Sequence, residues 1–131
     1  MTQFDLSTTC RAPATDVWAL LYDPARFPEW WVGTERMEGD RREVSRYTST
    51  YPGEAFPLNV RSTGHGSRVM ISCLRFGIAW EWTLEPAETG CGVRLRVRGT
   101  DEHADLVDGQ REDMRESLER LVALAERDLA R

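Results

Sequence analysis

Tryptophan side chains are the groups in this sequence best suited to binding a small molecule. The strand-like segment 78–85 places Trp80 and Trp82 on one face, together with Ile78 and Leu84. Large aromatic rings stack on flat apolar molecules, and a buried indole N–H needs a hydrogen-bond partner. A cavity with apolar walls and a few polar groups satisfies both requirements. The pattern therefore predicts a ligand-stacking wall, although ordinary core packing explains Trp82 equally well.

Polar groups on otherwise apolar faces are the second set of candidates. In segment 67–76, Ser72 lies between Met70 and Leu74, on the face that also carries Phe76. A hydroxyl there either orients a carbonyl or hydroxyl group of a ligand or is satisfied by nearby backbone. The predicted ligand-binding residues are Trp30, Tyr47, Tyr51, Ser72, Leu74, Phe76, Trp80, Trp82, Gln110 and Met114.

Two strand-like segments leave their inward face undecided. Segment 43–51 has Tyr47 and Tyr51 on one face and Arg46 on the other. We expect the tyrosine face to line the cavity, because phenol groups combine apolar area with a polar tip. In segment 57–63 the face opposite Arg61 is the more apolar, so we expect Arg61 to lie outside.

The composition excludes several kinds of catalysis. All 17 basic Lys or Arg residues are arginines, which rules out Schiff-base lysine chemistry and a phosphate-loop lysine. His65 and His103 are far apart, and no Cys-x-x-Cys accompanies them, so no metal site is specified. The Gly-x-Ser-x-Gly turn of serine hydrolases is also missing. We therefore predict no cofactor and no metal, and the sequence identifies no catalytic residue.

Charge and cysteine content indicate the setting. The net charge of −5 disfavours a nucleic-acid partner, and no apolar run is long enough for insertion into a membrane. Three cysteines without a visible secretion signal favour reduced thiols and a cytoplasmic location. The exclusive use of arginine is typical of a GC-rich bacterial genome. Either a monomer or a homodimer is compatible with the sequence.

The periodicity of the chain predicts a segregated α+β fold. A first strand at 4–10 precedes a helix that begins near Pro13, and Asp23 caps a second short helix. Closely spaced strands joined by turns follow up to residue 98 and form an antiparallel meander. From about residue 104 the spacing becomes helical and predicts one amphipathic helix about 25 residues long. Such an order places helices on one face of an antiparallel sheet.

Several motifs in this order resemble the START-like, helix-grip (SRPBCC) superfamily. Residues 12–21 read Ala-Pro-x-x-x-Val-Trp-x-x-Leu, and residues 23–30 read Asp-Pro-x-x-Phe-Pro-x-Trp. The hairpin around 84–95 and the closing helix with Met-x-x-x-Leu-x-x-Leu at 114–121 are also similar to that group. The nearest match is the polyketide cyclase/dehydrase-like family. The resemblance implies a single domain over 1–131, in which a curved sheet of about seven strands wraps a long C-terminal helix.

The resemblance implies a cavity for a hydrophobic ligand but leaves two functions open. The first is binding of an aromatic or polyketide-like molecule, and its enzymatic form would be a cofactor-independent polyketide cyclase, aromatase or dehydratase. The alternative is a non-catalytic lipid or metabolite carrier, or an interaction module like the chaperone ATPase activators. An open cavity with buried polar groups favours ligand chemistry, whereas a filled interior favours the interaction module.

Overall fold

The computed structural model describes residues 1–40 and 43–129, and its central element is a seven-stranded antiparallel sheet. The strands lie in the order β1-β7-β6-β5-β4-β3-β2, so only β1 is out of sequence at one edge. Their bounds are β1 Thr2–Cys10, β2 Thr34–Gly39, β3 Val44–Thr48, β4 Ala55–Thr63, β5 Arg68–Cys73, β6 Ala79–Pro86 and β7 Cys91–Gly99. The expected number of strands is confirmed, but β2 is a strand that the periodicity did not predict.

Within the described residues, four α-helices cover the inner face of this sheet. They are α1 Ala14–Tyr22, α2 Phe27–Trp30, α3 Ala104–Asp108 and α4 Arg111–Leu129. Helix α1 follows Pro13, and the Asp23 carboxylate accepts a hydrogen bond from the Ala25 N–H, as the capping pattern predicts. The α+β class and the sheet around a long C-terminal helix are therefore confirmed.

The predicted single helix after residue 104 is in fact two helices. The Gly109 N–H still donates to the carbonyl oxygen of Asp105, four residues earlier. The Gln110 N–H instead donates to the carbonyl oxygen of Val107, only three residues earlier, so the helix tightens into a 3-10 turn and ends. Helix α4 then restarts, and the Gln110 carbonyl accepts from the Met114 N–H. Glycine lowers helix propensity at this break. The break sets Gln110 at a corner rather than inside a continuous helix.

Strands β6 and β7 have the inward face that the sequence predicts. Trp80, Trp82 and Leu84 of β6 are buried, and so are Val93 and Leu95 of β7. The matching stripe of α4 is also buried, at Met114, Leu118, Leu121 and Ala125. The core thus lies between these strands and the last helix.

The inward face of β5 is opposite to the expected one. Ile71 lies directly across from Trp80 and is fully buried, whereas Ser72 lies across from Ala79. Directly opposed residues share a face of the sheet, so Ser72 points outward with Met70. The expected alternation continued to Phe76, but the strand ends at Cys73 and a turn follows.

Strand β3 shows the same reversal. Val44 and Arg46 lie opposite Leu58 and Phe56, both of which are buried. This pairing turns Arg46 inward and Tyr47 outward. On β4 the prediction is confirmed, because Arg61 is exposed.

Candidate functional site

A cavity of about 270 Å³ lies between the inner face of the sheet and the corner between α3 and α4. Its floor comes from strands β3 to β6, and one wall comes from the loop that follows α2. The lining residues are Trp31, Val32, Gly33, Arg46, Thr48, Thr50, Tyr51, Phe56, Leu58, Cys73, Phe76, Ile78, Trp80, Asp105, Leu106, Gly109, Gln110, Asp113 and Met114. Most of them are apolar or aromatic, as is usual for small-molecule sites.

Two indole rings form the inner aromatic part of the cavity wall. Trp31 and Trp80 meet edge to face, with ring centroids 4.8 Å apart and an angle of 73° between their planes. Behind them, Trp30 stacks on Trp31 and meets Trp82 edge on, at 5.7 Å and 5.4 Å. The second layer holds the first in place, because buried aromatic rings in contact leave little room to rotate.

The indole of Trp80 is held by the corner between α3 and α4. Its Nε1 donates a hydrogen bond to Oε1 of Gln110 over 2.9 Å. The amide nitrogen of Gln110 in turn donates to the carbonyl oxygen of Leu106 over 3.1 Å. This chain of hydrogen bonds fixes the amide orientation and presents an ordered polar edge to the cavity.

Arg46 brings a positive charge to the cavity. Its Nε donates to Oγ1 of Thr34 over 2.7 Å, and Nη2 donates to the carbonyl oxygen of Val32 over 3.4 Å. The guanidinium carbon lies 3.9 Å from the ring centre of Trp31, a cation–π contact. Burial lowers the pKa of Arg46 to about 10, so the side chain stays charged at neutral pH.

The loop that carries Trp31 is tied to the last helix by one buried serine. Ser117 is fully buried, and its hydroxyl accepts a hydrogen bond from the Val32 N–H over 2.9 Å. The same hydroxyl donates to the carbonyl oxygen of Asp113 over 2.7 Å. The position of this wall relative to α4 is therefore set by specific hydrogen bonds as well as by packing.

An aromatic rim surrounds the place where the cavity reaches the surface. Tyr51, Phe56, Phe76 and His103 follow one another, with ring centroids between 5.5 and 6.0 Å apart. Tyr51 is 47% exposed, so the rim is accessible from solvent. The guanidinium of Arg75 lies over both phenyl rings of the rim, 5.1 and 5.3 Å from their centres.

Half of the predicted binding residues line this cavity. They are Tyr51, Phe76, Trp80, Gln110 and Met114. Tyr51 and Phe76 lie just beyond the ends of β3 and β5, where the alternation of the strands no longer applies. Their side chains therefore reach the rim although the strand faces to which they were assigned point outward.

The other predicted residues lie elsewhere, for two reasons. Trp30 and Trp82 are buried in the core behind the cavity wall. Tyr47, Ser72 and Leu74 are on or beside outward strand faces, and Leu74 is 64% exposed. The guanidinium of Arg36 covers the ring of Tyr47 at 3.8 Å. Contrary to the expectation, none of these five residues lines the cavity.

Arg46 and Trp31 are the important lining residues that the sequence analysis did not select. A charged residue on a short strand is ordinarily taken as solvent-facing, and nothing local marks Arg46 as different. The available signal was Trp31 directly after Trp30, because adjacent residues at the end of a short helix point in different directions, and the second tryptophan can reach a neighbouring cavity. Thr34 and Val32, which hold Arg46, belong to the strand and loop that the periodicity missed.

The described part of the chain offers neither a cluster of metal ligands nor a membrane-spanning helix. Within residues 1–40 and 43–129, no three His, Cys, Asp or Glu side chains come together as possible metal ligands. None of the helices in that part of the chain is long and apolar enough to cross a membrane.

Comparison with solved structures shows that this fold is widely shared. A protein of Nitrosomonas europaea superposes with a TM-score of 0.77 at 16% identity, covering 99% of this chain and 97% of that one. A START superfamily protein from Mycobacterium smegmatis has a TM-score of 0.73 at 11% identity, with coverages of 95% and 99%. BexL, a di-domain ARO/CYC from the BE-7585A biosynthetic pathway, has a TM-score of 0.74 at 16% identity, with coverages of 96% and 47%. These likenesses show the fold alone.

Sequence comparison assigns the family. No curated protein sequence is significantly similar to the chain. The family model described as "Polyketide cyclase / dehydrase and lipid transport" matches residues 1–126, which is nearly the whole chain. With the START-like sheet wrapped around its last helix and a cavity lined by Trp31, Trp80 and Met114, the chain belongs to the polyketide cyclase/dehydrase and lipid transport family.

Proposed function

We propose that this protein binds a small aromatic molecule in the cavity between the sheet and the corner of α3 and α4. The observation that supports this most is the wall itself, in which Trp31, Trp80 and Met114 surround space that no side chain fills. An empty apolar space costs packing energy, so an unfilled aromatic cavity with an accessible rim favours a ligand over a purely structural interior.

The size of the cavity limits the ligand. A cavity of about 270 Å³ lies at the small end of the ~300–1,000 Å³ that is usual for small-molecule sites, so it favours a compact ligand of one or two fused rings. A long acyl chain or a four-ring product would extend through the rim, past Tyr51 and Phe76.

A fluorescence screen tests this proposal. Aromatic polyketide fragments, two-ring aromatic compounds and fatty acids are titrated into the protein, and the tryptophan emission is recorded. We expect saturable quenching by the two-ring compounds. The quenching should shrink in Trp80→Phe and persist in Trp18→Phe, because Trp18 lies away from the cavity and donates to Ser62. No saturable change with any class of compound would contradict the proposal.

A cyclase or dehydratase activity is the enzymatic form of this proposal. An aldol cyclisation needs a base for the proton between two carbonyls and a donor for the enolate oxygen. Asp113 and Arg46 line the same cavity and carry these two kinds of group. Two similar structures, BexL and StfQ, are described as ARO/CYC di-domains, which supports testing this chemistry.

The enzymatic form is tested with a short poly-β-keto thioester mimic. Its spontaneous cyclisation is followed by mass spectrometry and ultraviolet absorbance, with and without protein. We expect faster formation of a single ring product with the wild type, and loss of that acceleration in Asp113→Asn. Asp108→Asn serves as control, since Asp108 is exposed on α3 and does not line the cavity. Binding without acceleration would favour the carrier function.

The interaction-module alternative makes a different prediction. A module that acts through its surface should tolerate a filled cavity. Gly109→Phe or bulky substitutions at the rim would then leave its binding to a partner protein unchanged. The open cavity and its polar groups support a ligand-binding role instead. The three buried free thiols also fit the proposal that the protein works in the reducing cytoplasm.

A further inference from the structure

Arg46 is an inward-facing cation whose hydrogen-bonding capacity is only partly used. A guanidinium has five N–H donors. Two of them are occupied, by the Thr34 hydroxyl and the Val32 carbonyl, and Trp31 covers one face. Within the described residues no carboxylate lies within 4.0 Å of this side chain. By contrast, Arg96 on the outer face of the sheet pairs with Asp5 at 2.8 Å.

The surroundings hold this guanidinium in one place. Its contacts come from the loop after α2 and from β2, and Ser117 ties that loop to α4 through the Val32 N–H. The titratable groups near it are Cys73 of β5 and Asp113 of α4, both of which also line the cavity, and the charge of Asp113 favours its protonated form. Neither forms an ion pair with it. Its remaining donors are therefore available to a molecule in the cavity.

A partly desolvated cation that has no ion-pair partner is costly to maintain, and an anionic group is the partner that compensates it best. The planar fork of arginine matches two oxygens of a carboxylate, or an enolate oxygen beside a carbonyl. Because Trp31 lies under the guanidinium and meets Trp80 edge on, an anion at Arg46 would carry its attached ring toward the indoles.

We propose that the ligand of this cavity carries an anionic oxygen group, a carboxylate or an enolate, which Arg46 binds while the aromatic part lies against Trp31 and Trp80. This inference rests on the proposed function and adds the chemical class of the ligand. Arg46 would thus favour an acidic aromatic compound over a neutral one of the same shape, a distinction that the apolar walls alone do not make.

Matched acidic and neutral probes test this inference by isothermal titration calorimetry. The carboxylate pair is 2-naphthoate and 2-naphthamide. The enolate pair is 1,3-indandione, ionised at mildly alkaline pH, and 1-indanone. The proteins are the wild type, Arg46→Gln and Arg61→Gln, the last being an exposed arginine on the outer face of β4. Urea melts establish that each variant is folded under the conditions of the titration.

We expect at least one acidic probe to bind the wild type about tenfold more tightly than its neutral partner, which equals about 1.4 kcal/mol. The pair that shows this preference identifies the carboxylate or the enolate as the group recognised. The preference should fall to about threefold or less in Arg46→Gln and persist in Arg61→Gln.

Equal binding of acidic and neutral probes by the wild type would overturn the inference and leave the proposed function standing. This comparison needs no variant, so it decides even if Arg46→Gln fails to fold. An acid preference that survives in folded Arg46→Gln would also overturn it. If none of the four probes binds the wild type, both the inference and the proposed aromatic-binding function are contradicted.

Discussion

The hydrogen bond between Trp80 and Gln110 gives a sharp prediction about how the cavity wall is held. Trp80 is only 3% exposed, and its one polar side-chain group, the indole N–H, donates to Oε1 of Gln110 over 2.9 Å. Gln110→Leu preserves the approximate size of the side chain but removes this acceptor. It also removes the donor to the Leu106 carbonyl. The indole N–H is then left beside an apolar neighbour.

The expected cost follows from the orphaned donor. A buried polar group without a partner costs about 1–3 kcal/mol, so Gln110→Leu should lower the free energy of unfolding by about that amount. That is a large part of the ~5–15 kcal/mol that stabilises a small domain. In a Trp80→Phe background no indole remains to be orphaned, so the same change should cost less than about 1 kcal/mol. The coupling between the two substitutions should therefore be about 1–2 kcal/mol.

Urea denaturation followed by far-ultraviolet circular dichroism measures all four proteins of this cycle. Gln3→Leu is the matched control, because Gln3 is the other glutamine of the chain and is exposed on β1. Its cost should stay within about 0.5 kcal/mol. If the costs of Gln110→Leu and Trp80→Phe simply add, within about 0.5 kcal/mol, the hydrogen bond does not hold the wall.

Three further predictions concern other parts of the molecule. Leu121→Ala, at a fully buried site away from the cavity, should lower the free energy of unfolding by about 2–5 kcal/mol in urea melts. Met114→Ala should lower it by less and should change the affinity for 2-naphthoate, because Met114 lines the cavity. An equal cost with unchanged affinity would show that Met114 is ordinary core. Burial raises the pKa of Cys91 to about 11 and also raises that of Cys10, so both should resist iodoacetamide at about pH 8 until denaturant is added, as peptide mass spectrometry would show; rapid labelling of the native protein would contradict this. The lowered pKa of Arg46, about 10, means that its charge is lost as the pH rises through that value. The affinity for 2-naphthoate should therefore be constant near pH 8 and fall by about pH 11, and a bound anion should shift this fall to higher pH. A constant affinity up to about pH 11 in a still-folded protein would contradict the contact between Arg46 and the anion.

Where one face of an element is apolar and the other polar, the sequence predicts the structure well. Strand β7 alternates valine and leucine with arginine, and its buried residues are those that the pattern predicts. The stripe of α4 is similarly clear, from Met114 to Ala125. In such elements burial of the apolar face is the largest contribution to stability. A repeat of apolar residues every 2 or 3.6 positions is therefore enough to identify a strand or a helix and its inward face.

The prediction fails where both faces can be buried or where a charge is held by distant contacts. Strand β5 has Val69 and Ile71 on one face and Met70 on the other, so hydrophobicity alone does not choose between them. The choice is made by register against Trp80 and Trp82, which is a pairing between strands. Arg46 lies inward because Trp31 and Thr34 receive it, and neither contact is visible in the sequence around β3.

The candidate site is correspondingly only half predictable. Trp80 and Met114 lie on well-patterned elements and were found from them. Gln110 was found through its spacing from Met114, although the helix break that orients it was not foreseen. The rim residues Tyr51 and Phe76 lie in turns beyond the strand ends, where position depends on loop geometry rather than on alternation.

The most direct test of ligand binding in this cavity is a set of intermolecular nuclear Overhauser effects between 2-naphthoate and the protein in solution. Aromatic protons of the ligand should show contacts to the indole of Trp80 and to the methyl group of Met114, which face the cavity from the sheet and from α4. The indole of Trp18, which bonds Ser62 away from the cavity, should show none. Contacts confined to Trp18 or to the outer face of the sheet, or saturation without any contact to Trp80 and Met114, would contradict the account.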